Sequence, residues 1–216
     1  MSEKIIALIP NRNILTTLKG TIDFLLKDPR VEVVIFDQLS TYEPLREYYK
    51  TLPERVEVVY SNTNGGPNSV WDLYLSYCKT NYFIVADPDC DYTGVPDDWL
   101  DKMLHVLEHS GVSKVGFSLE IDDLPKNEYT DTVKHWESKF WIDKNEYGWV
   151  SEIDSTFALY RPNSEFTYKA IRLDKPYCIK HVMWYFWENT LSPEWKFYLE
   201  NISDLSYWGN RLKKLL

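Results

Sequence analysis

The sequence predicts an α/β protein with a mostly parallel central sheet flanked by helices. Three observations carry that expectation. Short apolar runs rich in β-branched residues alternate along the chain with segments whose apolar residues recur at helical spacing. The connections between them are short. Most of the apolar runs end in a polar loop. Strand–helix alternation with short links is the pattern of parallel strands joined by right-handed crossovers. In such sheets ligands bind beyond the carboxyl ends of the strands.

In chain order, residues 4–9 (KIIALI) read as a buried strand, closed by Pro10-Asn11-Arg12-Asn13. Ile14, Leu18, Ile22, Leu25 and Leu26 then recur at helical spacing, and Asp28-Pro29 stops that helix. Residues 31–36 (VEVVIF) form a second strand ending at Asp37, followed by Gln38-Leu39-Ser40-Thr41 and a helix over about 43–50. A third strand over 56–60 leads to Asn62-Thr63-Asn64-Gly65-Gly66-Pro67 and a helix over about 69–78. The fourth strand, 82–86, runs into Asp87-Pro88-Asp89-Cys90-Asp91. Pro96-Asp97-Asp98 opens a helix over 99–109, and residues 114–119 (KVGFSL) form a fifth strand ending in Glu120-Ile121-Asp122-Asp123. A helix is expected over 130–141, a sixth strand over 155–160 behind Asp154, and a short strand over 170–173. The aromatic stretches 177–187 and 206–216 close the chain. With no repeat, low-complexity tract or Gly/Ser-rich linker, residues 1–216 are expected to form one domain.

Composition narrows the function. Hydrophobic residues make up 44% of the chain and aromatics 16%, with 9 Trp and 16 Tyr, enough for a sizeable core and for pockets that grip flat rings and sugar faces. A formal net charge of −9 argues against a general nucleic-acid binder, which needs a basic face. It leaves room for a nucleotide held by backbone amides and a metal. The 3 Cys, at positions 78, 90 and 178, show no metal or disulfide spacing, so a reducing compartment is expected. No signal peptide and no run of apolar residues long enough to span a membrane are read.

The acidic loop places three carboxylates at alternate positions, on one side of the chain if the backbone stays extended. Like charges so crowded call for a cation, and hard divalent metals prefer carboxylate oxygens. The plainer alternative is a solvated turn.

In this context the pattern resembles the GT-A glycosyltransferases, in particular small family-2-like nucleotide-sugar transferases. The resemblance rests on the segment from Ile9 to Asn13, on Ile35-Phe36-Asp37-Gln38-Leu39-Ser40-Thr41, on Asn64-Gly65-Gly66-Pro67, and on the acidic loop followed by Pro96 and Trp99-Leu100. Through Glu120–Pro125, Asp154–Tyr160 and His181 with Trp184-Tyr185, the second half is similar to polysaccharide or capsid-glycan (rhamnosyl-type) transferases of bacteria and large algal viruses. The resemblance implies a GT-A (Rossmann-like nucleotide-diphospho-sugar transferase) fold. Residues 1–120 would bind a UDP-, GDP- or dTDP-linked sugar, and 121–216 a glycan or glycoprotein acceptor. It implies a cytoplasmic enzyme (in the host's cytoplasm if viral) with at most peripheral membrane contact, through 208–216 with Arg211, Lys213 and Lys214. That stretch otherwise reads as a packed terminal helix.

The resemblance also assigns roles. Pro10, Asn11, Arg12, Asp37, Asn64, Gly65 and Asp87 would bind the nucleotide sugar, Asp37 taking the base or ribose. Counting back from Pro96 favours Asp89 and Asp91 as ligands of Mn²⁺ or Mg²⁺, with Asp87 nearer the strand, and His181 joins them if a C-terminal His returns to the metal. Sugar transfer needs charge neutralisation at the diphosphate, a base at the acceptor hydroxyl and exclusion of water. Asp154 is the candidate base, since its place ahead of an apolar strand suggests partial burial; Glu120, Asp122 and Asp123 are the alternatives. Arg12, Arg172 and Lys180 are candidates for phosphate, against plain surface charge. Trp136, Trp141, Trp149 and Trp184 are candidates for sugar stacking, against core. Two rival functions remain: a sugar-1-phosphate nucleotidyltransferase, disfavoured by the absence of Gly in the first loop, and a carbohydrate-binding domain, disfavoured by the helices.

Overall fold

A computed structural model describes residues 4–73, 82–164, 167–187 and 190–216. Ten strands among these residues form one twisted sheet. The first half supplies β1 (Ile5–Asn11), β2 (Val31–Gln38), β3 (Val56–Ser61) and β4 (Phe83–Ala86), joined through α1 (Thr16–Leu26), α2 (Glu43–Tyr49) and a 3₁₀ segment, Pro67–Leu73. The expected helix over 69–78 is 3₁₀ where described; its remainder, with Cys78, lies outside the described residues. After the acidic loop come β5 (Cys90–Asp91), α3 (Trp99–Ser110), β6 (Lys114–Leu119) and α4 (Thr130–Glu137), the last running into a 3₁₀ turn, Ser138–Trp141. The hairpin of β7 (Lys144–Asn145) and β8 (Gly148–Glu152), then β9 (Phe157–Tyr160), β10 (Lys169–His181), α5 (Pro193–Glu200) and α6 (Tyr207–Leu212) complete the chain.

The strand order is β3-β2-β1-β4-β9-β6-β10-β8-β7, with β5 paired to the end of β10. β3, β2, β1 and β4 run parallel, as strand–helix alternation predicts, and β10 is parallel to β6. β9 runs antiparallel between β4 and β6, and β8 of the β7–β8 hairpin is antiparallel to β10. Strand direction is not encoded in an apolar run, so this reversal was invisible locally. The short strand expected over 170–173 is the first part of β10. Its register against β6 shifts between Leu173 and Cys178, around Pro176, which has no N–H to give to a ladder.

Side chains of each central strand alternate between two cores. Ile5, Ala7 and Ile9 of β1 pack with α1, α2 and α3, while Leu8 joins Val34, Phe83, Val85 and Tyr160 on the opposite face. An aromatic cluster of Phe24, Tyr92, Trp99, Phe117 and Phe157 seals α1 and α3 to the sheet, with Phe24 and Tyr92 stacked at 4.3 Å. Helices against the sheet run counter to the all-β architecture of a carbohydrate-binding module. Gly116 in β6 is a close-approach position: a Cβ there would lie 2.1 Å from the Phe157 carbonyl oxygen. Gly116→Ala is therefore expected to cost about 1–3 kcal/mol as the two strands are forced apart, read as a lower urea midpoint with an unchanged slope.

Candidate active site

The carboxyl ends of the parallel strands converge on one cleft of about 680 Å³, within the range of small-ligand sites. At the end of β1, Asn11 Nδ2 donates to the Ile14 carbonyl at 3.0 Å and to Tyr49 Oη at 2.9 Å. The buried Asn13, at φ 59°, accepts from the Thr41 and Tyr42 amides and ties the first loop to the second. Gly66, at φ 76°, makes the turn after β3, and Gln38 clamps it by accepting from the Gly65 amide at 2.9 Å and donating to the Gly66 carbonyl at 3.1 Å.

The acidic loop is positioned from both sides. The Asp87 amide donates to the Thr156 carbonyl at 2.9 Å, and Ser155 Oγ donates to Asp87 Oδ2 at 3.2 Å. On the other side β5 pairs with the end of β10, matching Cys90 to His181 and Asp91 to Lys180. This pairing brings His181 Nε2 to 3.7 Å from Asp89 Oδ2, with the imidazole stacked on Trp184 at 5.0 Å. Burial first, then the neighbouring carboxylates of Asp89 and Asp154, push the Asp87 carboxyl well above the usual carboxylate range, against the pull of the Ser155 hydroxyl. Asp87 Oδ1, Asp89 Oδ1 and His181 Nδ1 are buried without a hydrogen-bond partner, an arrangement that costs free energy unless something else satisfies them.

Those orphaned oxygens fit a hard divalent cation, which relieves the repulsion between two carboxylates. Among the described residues no three metal-binding side chains are gathered into a ready-made cage. A cation here would take one or two protein carboxylates and complete its shell from substrate phosphates.

Pro10, Asn11, Arg12, Asn64, Asp87, Asp89, Asp154 and His181 all line this cleft. Four other groups of expected residues do not. Asp91 faces a smaller depression beside α1, lined with Asp23 and Lys27, and accepts from the Thr93 amide at 2.9 Å. The structure thus sets Asp87, not Asp91, beside Asp89 in the cleft, because antiparallel pairing of β5 turns the third carboxylate away. Asp37 lies beneath the cleft, accepting from Tyr49 Oη at 2.9 Å and from the Ser40 amide at 3.0 Å; Gln38 is the residue presented above it. Gly65 sits behind Gly66, where a Cβ would meet Ser69. Glu120 and Asp122 pair with Lys175 at 2.9 and 2.7 Å, and Asp123 pairs with Lys180 and accepts from Tyr185 Oη, all on the surface.

Asp154 is exposed rather than partly buried, and its Oδ1 accepts from the Thr156 amide at 3.0 Å and from Thr156 Oγ1. Its loop is anchored by the buried Lys114, which donates to the Ile153 and Thr167 carbonyls. Trp184 and Trp136 line the cleft, whereas Trp141 and Trp149 pack on each other at 5.4 Å.

Two features escaped the sequence. Glu137 and Arg172 form a buried ion pair in the cleft wall, and Arg172 Nε donates to the Glu152 carbonyl at 2.7 Å. The signal was a Glu on the same helix stripe as Val133 and Phe140. The segment from Ile202 to Trp208 covers the end of the cleft beside the β1 and β3 loops: Arg12 Nη1 donates to the Asn201 carbonyl at 2.5 Å and Asn64 Nδ2 to Ser203 Oγ at 3.0 Å. Beyond it α6 packs down through Leu212 and through Trp208 against Trp184. No described helix is long and apolar enough to cross a membrane.

A sheet of this order, with its cleft at the parallel strand ends and paired carboxylates on the loop after the fourth strand, defines a GT-A fold. The chain belongs to glycosyl transferase family 2, whose model matches residues 6–170, most of its length. Among solved structures it superposes on a mannosyltransferase from Pyrobaculum calidifontis, in complex with GDP-Man and Mn²⁺, with a TM-score of 0.58 and 15% identity over 83% of this chain and 57% of that one. A TarS fragment from S. aureus gives a TM-score of 0.49 and 15% identity over 74% of this chain and 47% of that one. The chain thus spans about half the length of these two structures. No curated protein sequence matches it significantly.

Proposed function

We propose that this chain is a metal-dependent glycosyltransferase that moves a sugar from a nucleotide-diphosphate donor to a glycan acceptor with inversion, in surface glycan or polysaccharide synthesis. The observation that carries the reading is the pair Asp87 and Asp89, each with a buried, unpartnered oxygen, beside His181 in a cleft lined by the β1 and β3 loops. Pro10, Asn11, Gln38, Asn64 and Gly66 hold the nucleoside. Asp87 and Asp89, with His181 alongside, would hold Mn²⁺ or Mg²⁺, and the cation would neutralise charge on the leaving diphosphate. The acceptor hydroxyl oxygen attacks the anomeric carbon, the bond to the phosphate oxygen breaks, and the nucleoside diphosphate leaves with the electron pair. Asp154 takes the hydroxyl proton, its carboxylate held in one orientation by Thr156. Ile202, Leu205 and Trp208 limit water over the reacting centre. Cys90 and Cys178 are free thiols, in keeping with a reducing cytoplasm.

A thermal-shift panel of UDP-, GDP-, CMP- and dTDP-sugars, with and without Mn²⁺, tests this, since a ligand of the native state raises its melting temperature. GDP-mannose with Mn²⁺, as bound by the fold neighbour, is the first pair to try. One donor is expected to raise the melting temperature only with metal. A flat response to every donor with metal present overturns the reading.

A further inference from the structure

The cleft continues past Asp154, away from the acidic pair. Ser155 and Thr156 hold Asp87, so each residue back along the chain toward β8 leads away from the donor end. Glu152 and Asp154, two apart, face the cleft, while Ile153 between them is buried in the second core. Facing this strip are Trp136 from α4 and Tyr168 from the lead-in to β10, whose carbonyl accepts from the Ile153 amide at 2.9 Å.

Trp136 and Tyr168 remain 51% and 50% exposed although both line the cleft. Open aromatic area of this kind in a concave site marks a surface built to be covered. Trp136 is held in place: the Lys139 ammonium sits 3.4 Å from its ring centroid, and Phe140 meets it edge-on at 6.3 Å. Below them Arg172 cross-links the cleft wall, engaged by Glu137, by the Glu152 carbonyl and by the Phe140 ring. The Glu152 carboxylate is exposed and makes no bond to the described residues.

Flat apolar faces beside an open carboxylate suit a pyranose ring, whose C–H face stacks on an aromatic and whose hydroxyls donate to a carboxylate. With two carboxylates on the strip and Arg172 already paired, an uncharged sugar fits better than a uronic acid. We propose that Trp136, Tyr168 and Glu152 form a subsite for a neutral hexopyranose of the acceptor glycan, one ring beyond the sugar that carries the attacking hydroxyl, so that the acceptor is at least a disaccharide. This rests on the transferase reading for the identity of the acceptor, not for the binding itself.

Saturation-transfer NMR on the full chain with cellobiose, lactose, maltose and methyl α-mannopyranoside tests the proposal. At least one of the disaccharides is expected to bind, and more tightly than the monosaccharide glycoside. Trp136→Ala should weaken that binding about tenfold, the scale of one lost stacking contact, while Trp136→Phe keeps a flat face and most of the affinity. Trp136 is half exposed, so its truncation leaves the core intact. Absence of binding by all four sugars, or binding that Trp136→Ala leaves unchanged, overturns the subsite. The donor panel on the wild-type chain is scored separately: sugar binding without any donor response would sink the transferase reading and leave the subsite standing.

Discussion

On the proposed metal-dependent transfer, Asp89→Asn is expected to lower sugar transfer by roughly three orders of magnitude, since charge neutralisation of a leaving diphosphate contributes several kcal/mol to the barrier. Asn keeps the volume of the buried Asp89 side chain, so the loss is chemical rather than structural. The substitution also removes a carboxylate that pushes the Asp87 carboxyl upward, so Asp87 should titrate closer to the ordinary carboxylate range, a change NMR can follow. Asp91→Asn supplies the comparison. Its carboxylate faces the depression beside α1 and accepts from Thr93, and transfer should stay within about twofold of wild type, the range of surface changes. A greater loss from Asp91→Asn than from Asp89→Asn would show that the cation is held by the other pair.

Arg172→Met is expected to destabilise the fold by about 3–5 kcal/mol, because it strands the Glu137 carboxyl without its counter-charge. Glu137 is 1% exposed and Arg172 5%. Burial raises the Glu137 carboxyl from 4.5 to about 7, against the pull of Arg172. An acid whose folded value is raised contributes stability that is complete below its unfolded value and is lost as pH rises through the folded one. Wild-type stability should therefore fall between about pH 4.5 and pH 7 by an amount that Glu137→Gln removes. In Arg172→Met the chief offset to burial is gone, and the fall should extend to higher pH. Urea titrations across that range read both effects. In the double variant Glu137→Gln/Arg172→Met the slope should vanish and much of the stability return; persistence of the slope would place the titration on another group.

The first half of the fold was legible because each element there is local. Runs such as VEVVIF form strands wherever they are buried, and the crossover rule then sets their direction. The second half was less so. The β7–β8 hairpin is short and polar, α5 was not read, and β10 is interrupted at Pro176, where a bulge rather than a strand end absorbs the missing donor. Glu137 and Arg172 lie 35 residues apart, and neither position reveals the other.

By itself the sequence determined the class of the sheet and the convergence of the loops after β1, β3 and β4 on one edge, because alternation and crossover handedness leave few other topologies. It also determined that the loop after β4 is acidic, with Asp89 in the cleft under either spacing. Only the tertiary structure decided which carboxylate stands beside it. Alternate positions are equivalent in an extended chain, and the choice comes from hydrogen bonds to distant partners. Thr156 and Ser155 draw Asp87 into the cleft, and the pairing of β5 with the end of β10 turns Asp91 away from it.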